Sequence, residues 1–299
     1  TVFAALAGLA FGSFLNVCLT RWPQGESIVA PRSHCRNCNR ALAWWENVPL
    51  ASWIALRGRC RTCKAWIGWR YPLVELAVSG LWAAVGWQSS ELLVGIDFPG
   101  LSLFALAVST IGQMLFYWLL VGLAVLDAEN LWLPDWLTLP GILIGFVLSL
   151  LNPAFDLSFD KLTLLPLTYD PTYLRSELWR AAIDSLFAIL AAAFVILLIR
   201  WSYRLLRRRE GIGLGDAKLM ALLAAWLGFS RSLLAFVFGV VLGSLVALVM
   251  LALLRQRKAE EPWSTAKLPL GTFLCIGGIA ASLWGSPIIA AYLHWAGFY

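Results

Sequence analysis

The chain is 299 residues long, 60 % hydrophobic and only 13 % charged, with a mean hydropathy of +0.76 and a formal net charge of +6. Soluble domains carry about 45–50 % apolar and about 25 % charged residues, so this balance excludes a water-soluble globular domain. Apolar stretches of about 18 or more residues recur, long enough to cross a hydrocarbon core of roughly 30 Å, and residues 232–254 hold no charge at all. A barrel would need short alternating strands, and none appear; the expected fold is an all-α polytopic integral membrane protein.

Eight spans are predicted in chain order, at about 2–19, 72–88, 101–126, 134–151, 179–200, 217–229, 232–254 and 270–297, the sixth being short. The first opens the chain with no cleavable signal pattern, and because Thr1 stands where an initiator Met would, a short native N-terminus is expected before it. Of 23 Lys and Arg, 19 fall in segments 20–71, 200–218 and 255–267. Positive charge marks the cytoplasmic side, so these segments are expected there and both termini outside. The basic charge is thereby read as topology and contact with anionic lipid headgroups, and no nucleic-acid partner is expected. Segment 152–178 falls on the outer side and reads as a connecting loop.

Segment 20–71 carries Cys35-Arg-Asn-Cys38 and Cys60-Arg-Thr-Cys63, with 21 residues between the pairs. Two residues between thiolates let one turn present both sulfurs to one ion, so two such knuckles suit a tetrahedral zinc site. Disulfides are the rival reading, disfavoured in a reducing compartment. The role expected for zinc is to fold a segment whose own core is small. His34 could replace a sulfur but reads as a surface residue, and Cys18 and Cys275 read as packing residues within apolar spans.

Ionisable groups in spans are costly and therefore informative. Asp127 ends the third span and Asp216 opens the sixth, which places both carboxylates at similar depth on one side. Facing one another, they would hold one proton between them, the ionised member activating water and the protonated member donating to a carbonyl. Gly213 and Gly215, beside Asp216, are expected to supply unusual backbone angles and close substrate approach. The alternatives remain open: Asp216 as a helix cap and Asp127 as an interfacial charge. Asp135 reads as a cap of the fourth span, and Lys218 as a partner for substrate acid, a modifier of the pair or a headgroup anchor. The Gly-rich run at 211–215 lacks the preceding strand that a nucleotide-binding loop requires.

Seven blocks carry a family resemblance: GSFLNV at 12–17, PRSHCRNC at 31–38, WWENVPLASW at 44–53, RGRCRTC at 57–63, RYPLVE at 70–75, LDAENLWLPDWLTLPG at 126–141 and GLGDAKLMALLAAWLG at 213–228. Across nearly the whole chain they resemble the bacterial prepilin peptidases, the type IV leader peptidases of Gly-x-Gly-Asp type. The resemblance implies that Asp127 and Asp216 are the catalytic pair and that Cys35, Cys38, Cys60 and Cys63 bind zinc. It implies substrates that are type IV prepilins or type II secretion pseudopilins, cut after a Gly on the cytoplasmic side of the bacterial inner membrane. It further implies N-methylation of the new terminus with S-adenosylmethionine in the region around 20–75, where Glu46, Asn47, Arg70 and Glu75 are the candidate residues. The corresponding division is 1–19 as first span, 20–71 as zinc domain and 72–299 as membrane peptidase domain. Two departures stand out: VCLTRWPQGES follows Asn16 where an Arg-Leu-Pro is more usual, and segment 152–178 is long.

The apolar segment of a substrate is expected to dock laterally against the spans bearing the aspartates, with the scissile bond out of helical form. Readings from other classes are a proton-coupled transporter, which calls for acids at the midplane and repeat symmetry, a zinc-folded scaffold with dispensable aspartates, and a methyltransferase with a vestigial pair.

Overall fold

The computed structural model describes residues 1–94, 101–151, 171–208, 213–256 and 268–297, and the described residues form helices joined by turns, with two isolated β-bridges. They divide into two compact units, Thr1–Gly122 and Leu123–Tyr299, the division falling within one long helix.

In the first unit, α1 (Val2–Arg21) lies along α3 (Arg70–Val94), and the contact is made by small residues one turn apart. A Cβ on Gly8 would stand 2.7 Å from the Ser79 Cα, one on Gly12 2.8 Å from the Glu75 Cα, and one on Gly86 2.7 Å from the Ala4 methyl. Lipid tails are as apolar as leucine, so helices in a bilayer gain by close backbone approach, which a small-xxx-small stripe allows. The seam then carries polar links. Ser79 Oγ donates to the Ala5 carbonyl at 2.9 Å, Asn16 Nδ2 to the Tyr71 carbonyl at 2.9 Å, and the Arg70 guanidinium to Thr20 Oγ1 at 2.7 Å. The first part of α4 (Leu101–Asn130) is tied on by two indoles, Trp82 to the Met114 carbonyl and Trp118 to the Phe11 carbonyl. Between α1 and α3 the chain makes 3-10 turns at Trp22–Gln24 and Trp44–Asn47 and the one-turn helix α2 (Ala51–Ala55).

The second unit contains the end of α4, α5 (Asp135–Leu151), α6 (Pro171–Arg207), α7 (Leu214–Gln256) and α8 (Leu270–Trp295). Within α7, Gly228 breaks the helix with φ 74° and ψ 173°, a conformation that essentially only glycine tolerates. Before the break, Trp226 donates to the Gly141 carbonyl at 2.9 Å and its ring lies against Gly145, fixing α7 to α5. After it, Gly239 and Gly243 receive Phe273 and Leu274, and Gly277 backs onto the Ala235 carbonyl, fixing α7 to α8.

Among the described residues, five helices are long and apolar enough to cross a membrane, Val2–Gln24, Leu106–Asn130, Leu178–Arg207, Leu214–Leu253 and Leu270–Trp295, and α5 is a shorter apolar helix. On α6, Ile183, Leu186, Leu190, Phe194 and Leu197 are all exposed. Their i, i+3, i+4 spacing makes one apolar stripe, which calls for an apolar solvent. The molecule is a multi-pass helical membrane protein. Each predicted span lies along a helix, with three differences. The third helix runs on to Asn130, so Asp127 lies inside its last turn; residues 171–178 begin α6 and are not a loop; residues 152–170 lie outside the described residues.

Because Gly8 sits on the Ser79 backbone, Gly8→Val should lower the thermal unfolding midpoint in detergent, corresponding to a loss of about 1–3 kcal/mol. An unchanged midpoint would show that α1 and α3 do not approach this closely.

Candidate active and metal-binding sites

The N-terminal residues of α8 have N–H groups with no partner inside the helix. Its N-cap is Pro269, which offers no side-chain acceptor. Asp127 supplies one from α4. Its Oδ2 accepts from the Thr272 N–H at 2.7 Å, the Gly271 N–H also points at the carboxylate, and the Thr272 hydroxyl lies 3.4 Å away while donating to the Ala124 carbonyl at 2.9 Å. A Cβ on Gly271 would stand 2.9 Å from Asp127 Oδ2, so only glycine lets the carboxylate in this close.

Asp216 does the same for its own helix. Its Oδ2 accepts from the Gly213 N–H at 3.0 Å, just ahead of the first residue of α7. The capping alternative is thus part of the geometry. Leu133 joins the two halves: its Cδ1 lies 3.2 Å from the Cβ position of Gly215 and 3.1 Å from that of Gly271. Asp127 and Asp216, 6 % and 9 % exposed, interact electrostatically across this contact. Both therefore sit at positive helix ends, where a carboxylate is favoured.

Three motif residues behave differently from expectation. Gly215 is helical and Gly213 has no positive φ, so neither supplies unusual backbone angles; at Gly215 the constraint is the Leu133 side chain. Lys218 Nζ is paired with Asp135 Oδ1 at 2.5 Å, which turns it toward the start of α5. Asp135 is the first helical residue of α5 and its carboxylate takes Lys218. The sequence pattern gave no sign of Gly271 and Thr272, because a residue that meets a carboxylate 145 positions away leaves no local pattern.

The four cysteines of segment 20–71 converge, with all Sγ atoms within 4.8 Å of one another. Cys35 Sγ and Cys63 Sγ are 3.7 Å apart. That is well beyond a disulfide bond of about 2.05 Å, and close to the edge of about 3.8 Å that a tetrahedron with metal–sulfur bonds of about 2.3 Å requires. The two knuckles share one backbone pattern. Cys35 N–H donates to the Arg40 carbonyl and Asn39 N–H to the Cys35 carbonyl; Cys60 N–H donates to Ala65 and Lys64 N–H to Cys60. Asn39 and Lys64 hold matching positive φ angles of 54° and 57°. The N–H groups of Cys63 and Thr62 at its sulfur hold the Cys60 thiol down to about 6, which favours the thiolate a metal needs. His34 stands outside the cluster, and Cys18 and Cys275 are buried singly.

Beside the knuckles lies a cavity of about 350 Å³ whose walls include Asn16, Glu46, Asn47, Trp53, Trp66 and Glu75. Three of the four candidate methyltransferase residues line it. Arg70 does not, and instead braces α1 through Thr20. Glu46 is buried and is gripped by Arg40 at 2.6 and 3.0 Å and by the Ala43 N–H at 2.8 Å. Glu75 accepts from the Leu50 N–H at 2.8 Å. Asn16, 2 % exposed, has an Oδ1 with no partner, a feature the sequence reading missed.

Fold and sites together define a helical multi-pass membrane protein with two buried carboxylates at helix ends and a four-cysteine module. Residues 6–89 match the bacterial peptidase A24 N-terminal domain, and residues 114–248 match the type IV leader peptidase family. A prepilin leader peptidase/N-methyltransferase of Stutzerimonas stutzeri is 32 % identical over 98 % of this chain and 93 % of its own length. Those of Aeromonas hydrophila and Burkholderia pseudomallei are 32 % and 35 % identical, over 96 % and 95 % of this chain and 92 % and 85 % of theirs. No solved structure matches the chain. The chain belongs to the type IV leader peptidase family.

The Arg40 guanidinium, with the Ala43 N–H, holds the Glu46 carboxyl below its usual range. A depressed folded value means stability present above the unfolded value of about 4.3 and lost as pH falls through the folded one. Glu46→Gln should therefore weaken the module at neutral pH by about 1–2 kcal/mol and flatten its loss in acid. Protease susceptibility of segment 20–71 across pH would measure both, and a variant indistinguishable from the parent would rule the contact out as a stabiliser.

Proposed function

We propose that the chain is a bifunctional prepilin leader peptidase and N-methyltransferase, cleaving type IV prepilins and type II secretion pseudopilins at the cytoplasmic face of a bacterial inner membrane. The observation that carries the peptidase half is that Leu133 packs against both Gly215, beside Asp216, and Gly271, which touches Asp127, so that the two acids lie in one electrostatic neighbourhood. One carboxylate, ionised, takes a proton from water; the other, protonated, donates to the scissile carbonyl, and the roles reverse as the amine leaves. The N–H groups of Gly271 and Thr272 orient Asp127, and that of Gly213 orients Asp216, so that each presents its other oxygen to water or substrate. Proton relay in a transporter would place the acids at mid-bilayer, whereas these sit at helix ends.

Eight crossings fit the helices: α1, α3, α4, α5, α6, the two halves of α7 on either side of Gly228, and α8. With 19 of 23 Lys and Arg on one side, the start of α7 faces the cytoplasm, where a prepilin presents its leader. Residues 20–71 form a zinc domain and 72–299 the peptidase domain. Cys35, Cys38, Cys60 and Cys63 would hold the zinc, which supplies a structural cross-link in a segment with little core of its own. The cavity bounded by Glu46, Asn47 and Glu75 would hold S-adenosylmethionine, which supplies the methyl group; at about 350 Å³ it lies within the usual range for small-molecule sites. Its carboxylates would orient the incoming amine.

The test uses full-length prepilin and S-adenosylmethionine with wild type, Asp127→Asn and Asp216→Asn in detergent, and reads the pilin N-terminus by mass spectrometry. An amide oxygen still accepts the helix-end hydrogen bonds, so the Asn variants separate chemistry from capping. Wild type should give a shortened, methylated product, and each variant should slow cleavage at least about 10³-fold. Variants that cut like wild type would sink the two-aspartate mechanism, and a shortened but unmethylated wild-type product would remove the second activity.

A further inference from the structure

Where α3 begins, its exposed apolar stripe does not stop. Leu73 and Leu76, 60 % and 53 % exposed, lie on the face opposite the buried Val74 and Val78. One turn earlier on the same stripe is Trp69, 59 % exposed, whose carbonyl accepts from the Leu73 N–H at 3.2 Å. The stripe then passes onto the four-cysteine module. The Trp69 ring lies 4.6 Å from Trp53 and 5.9 Å from Trp66, and Trp53 and Trp66 are 5.9 Å apart. Trp66 is 54 % exposed and neighbouring Ile54 67 %. These are large apolar groups left open at the end of a helix whose other face is fully packed.

Their depth is fixed. The apolar helix Val2–Gln24 ends at this level, and Arg70 is tied to Thr20 near that end at 2.7 Å. Indole rings favour this boundary, with an apolar body and a polar N–H. Positive charge brackets the rings. Gly58 is pressed against them, its Cβ position 2.8 Å from Trp66 and 2.9 Å from Trp53, which sets the exposed Arg57 and Arg59 on either side. Arg59 pairs with Trp66 in an antiparallel bridge.

We propose that Trp53, Ile54, Trp66 and Trp69, with Arg57 and Arg59, form a binding surface for anionic phospholipid that seats the four-cysteine module on the bilayer. The rings enter the headgroup layer and the guanidinium groups meet lipid phosphate. Trp53 and Trp66 also wall the 350 Å³ cavity, so the same surface holds that cavity at the depth where a membrane-held substrate exposes its N-terminus. The inference rests on α1 and α3 spanning the bilayer, but not on the aspartate chemistry, which the cleavage assay tests separately.

The experiment places p-benzoylphenylalanine at Ile54, an exposed position that leaves the tryptophan cluster in place. The full chain is reconstituted in phosphatidylcholine vesicles with and without phosphatidylglycerol, irradiated, and its adducts are weighed. A lipid adduct enriched in phosphatidylglycerol is expected, and Arg57→Glu with Arg59→Glu should reduce that enrichment roughly tenfold or more, since each cation near an anionic surface contributes about fivefold. No lipid adduct from protein that still cleaves prepilin would overturn the proposal. So would equal yields from both vesicles, which mean apolar immersion alone, or a cross-link to a second copy of the chain.

Discussion

The structure depends on the cost of leaving helix-end N–H groups unsatisfied in a medium without water. Helix α8 starts at Pro269 with no side chain able to cap it, and a carboxylate from α4 takes the duty. Helix α7 is capped by the carboxylate in its own first turn. Each helix end thus holds an aspartate where an aspartate would otherwise be expelled, and the aspartates satisfy donors that would otherwise be orphaned at a cost of about 1–3 kcal/mol each. The capping bonds are what keep two acids buried among the apolar helices of this unit.

Packing in both units follows from the same solvent. With no hydrophobic gain from hiding leucine from lipid, α1 meets α3 through Ala4, Gly8 and Gly12, and α7 meets α8 through Ala235, Gly239 and Gly243. Close backbones bring hydrogen-bonding groups of one helix within reach of the next, and the seam between α1 and α3 accordingly ends in Asn16, Thr20 and Arg70. Outside the apolar region the device changes: two knuckles of one backbone pattern, an arginine–glutamate grip and a tryptophan cluster hold a segment with few buried apolar residues.

Much of this was legible in the sequence because the signals are local or compositional. Uninterrupted apolar length marks helices, paired CxxC marks a thiolate cluster, and Asp127 and Asp216 stand out because acids are rare in such surroundings. What escaped was relational. Gly271 and Thr272 look like ordinary residues at the start of an apolar stretch until the fold puts Asp127 against them. Lys218 carried three readings, and its pairing with Asp135 was none of them, because it joins two helices 83 residues apart. Gly213 and Gly215 drew attention for backbone freedom, whereas one donates an N–H and the other makes room for a leucine. Small-residue spacing, as at Gly8 and Gly12 in α1 and at Gly239 and Gly243 in α7, is the relational feature with a readable pattern.

The break at Gly228 carries a geometric obligation. Unbroken, the 43 residues of α7 would reach about 65 Å. The residues between Gln256 and Leu270 span at most about 50 Å even when fully drawn out. A straight rod would therefore strand Thr272 out of reach of Asp127, on a leash too short to return. One glycine breaking the rod lets the chain double back, so that Phe273 lies against Gly243 and Thr272 reaches Asp127.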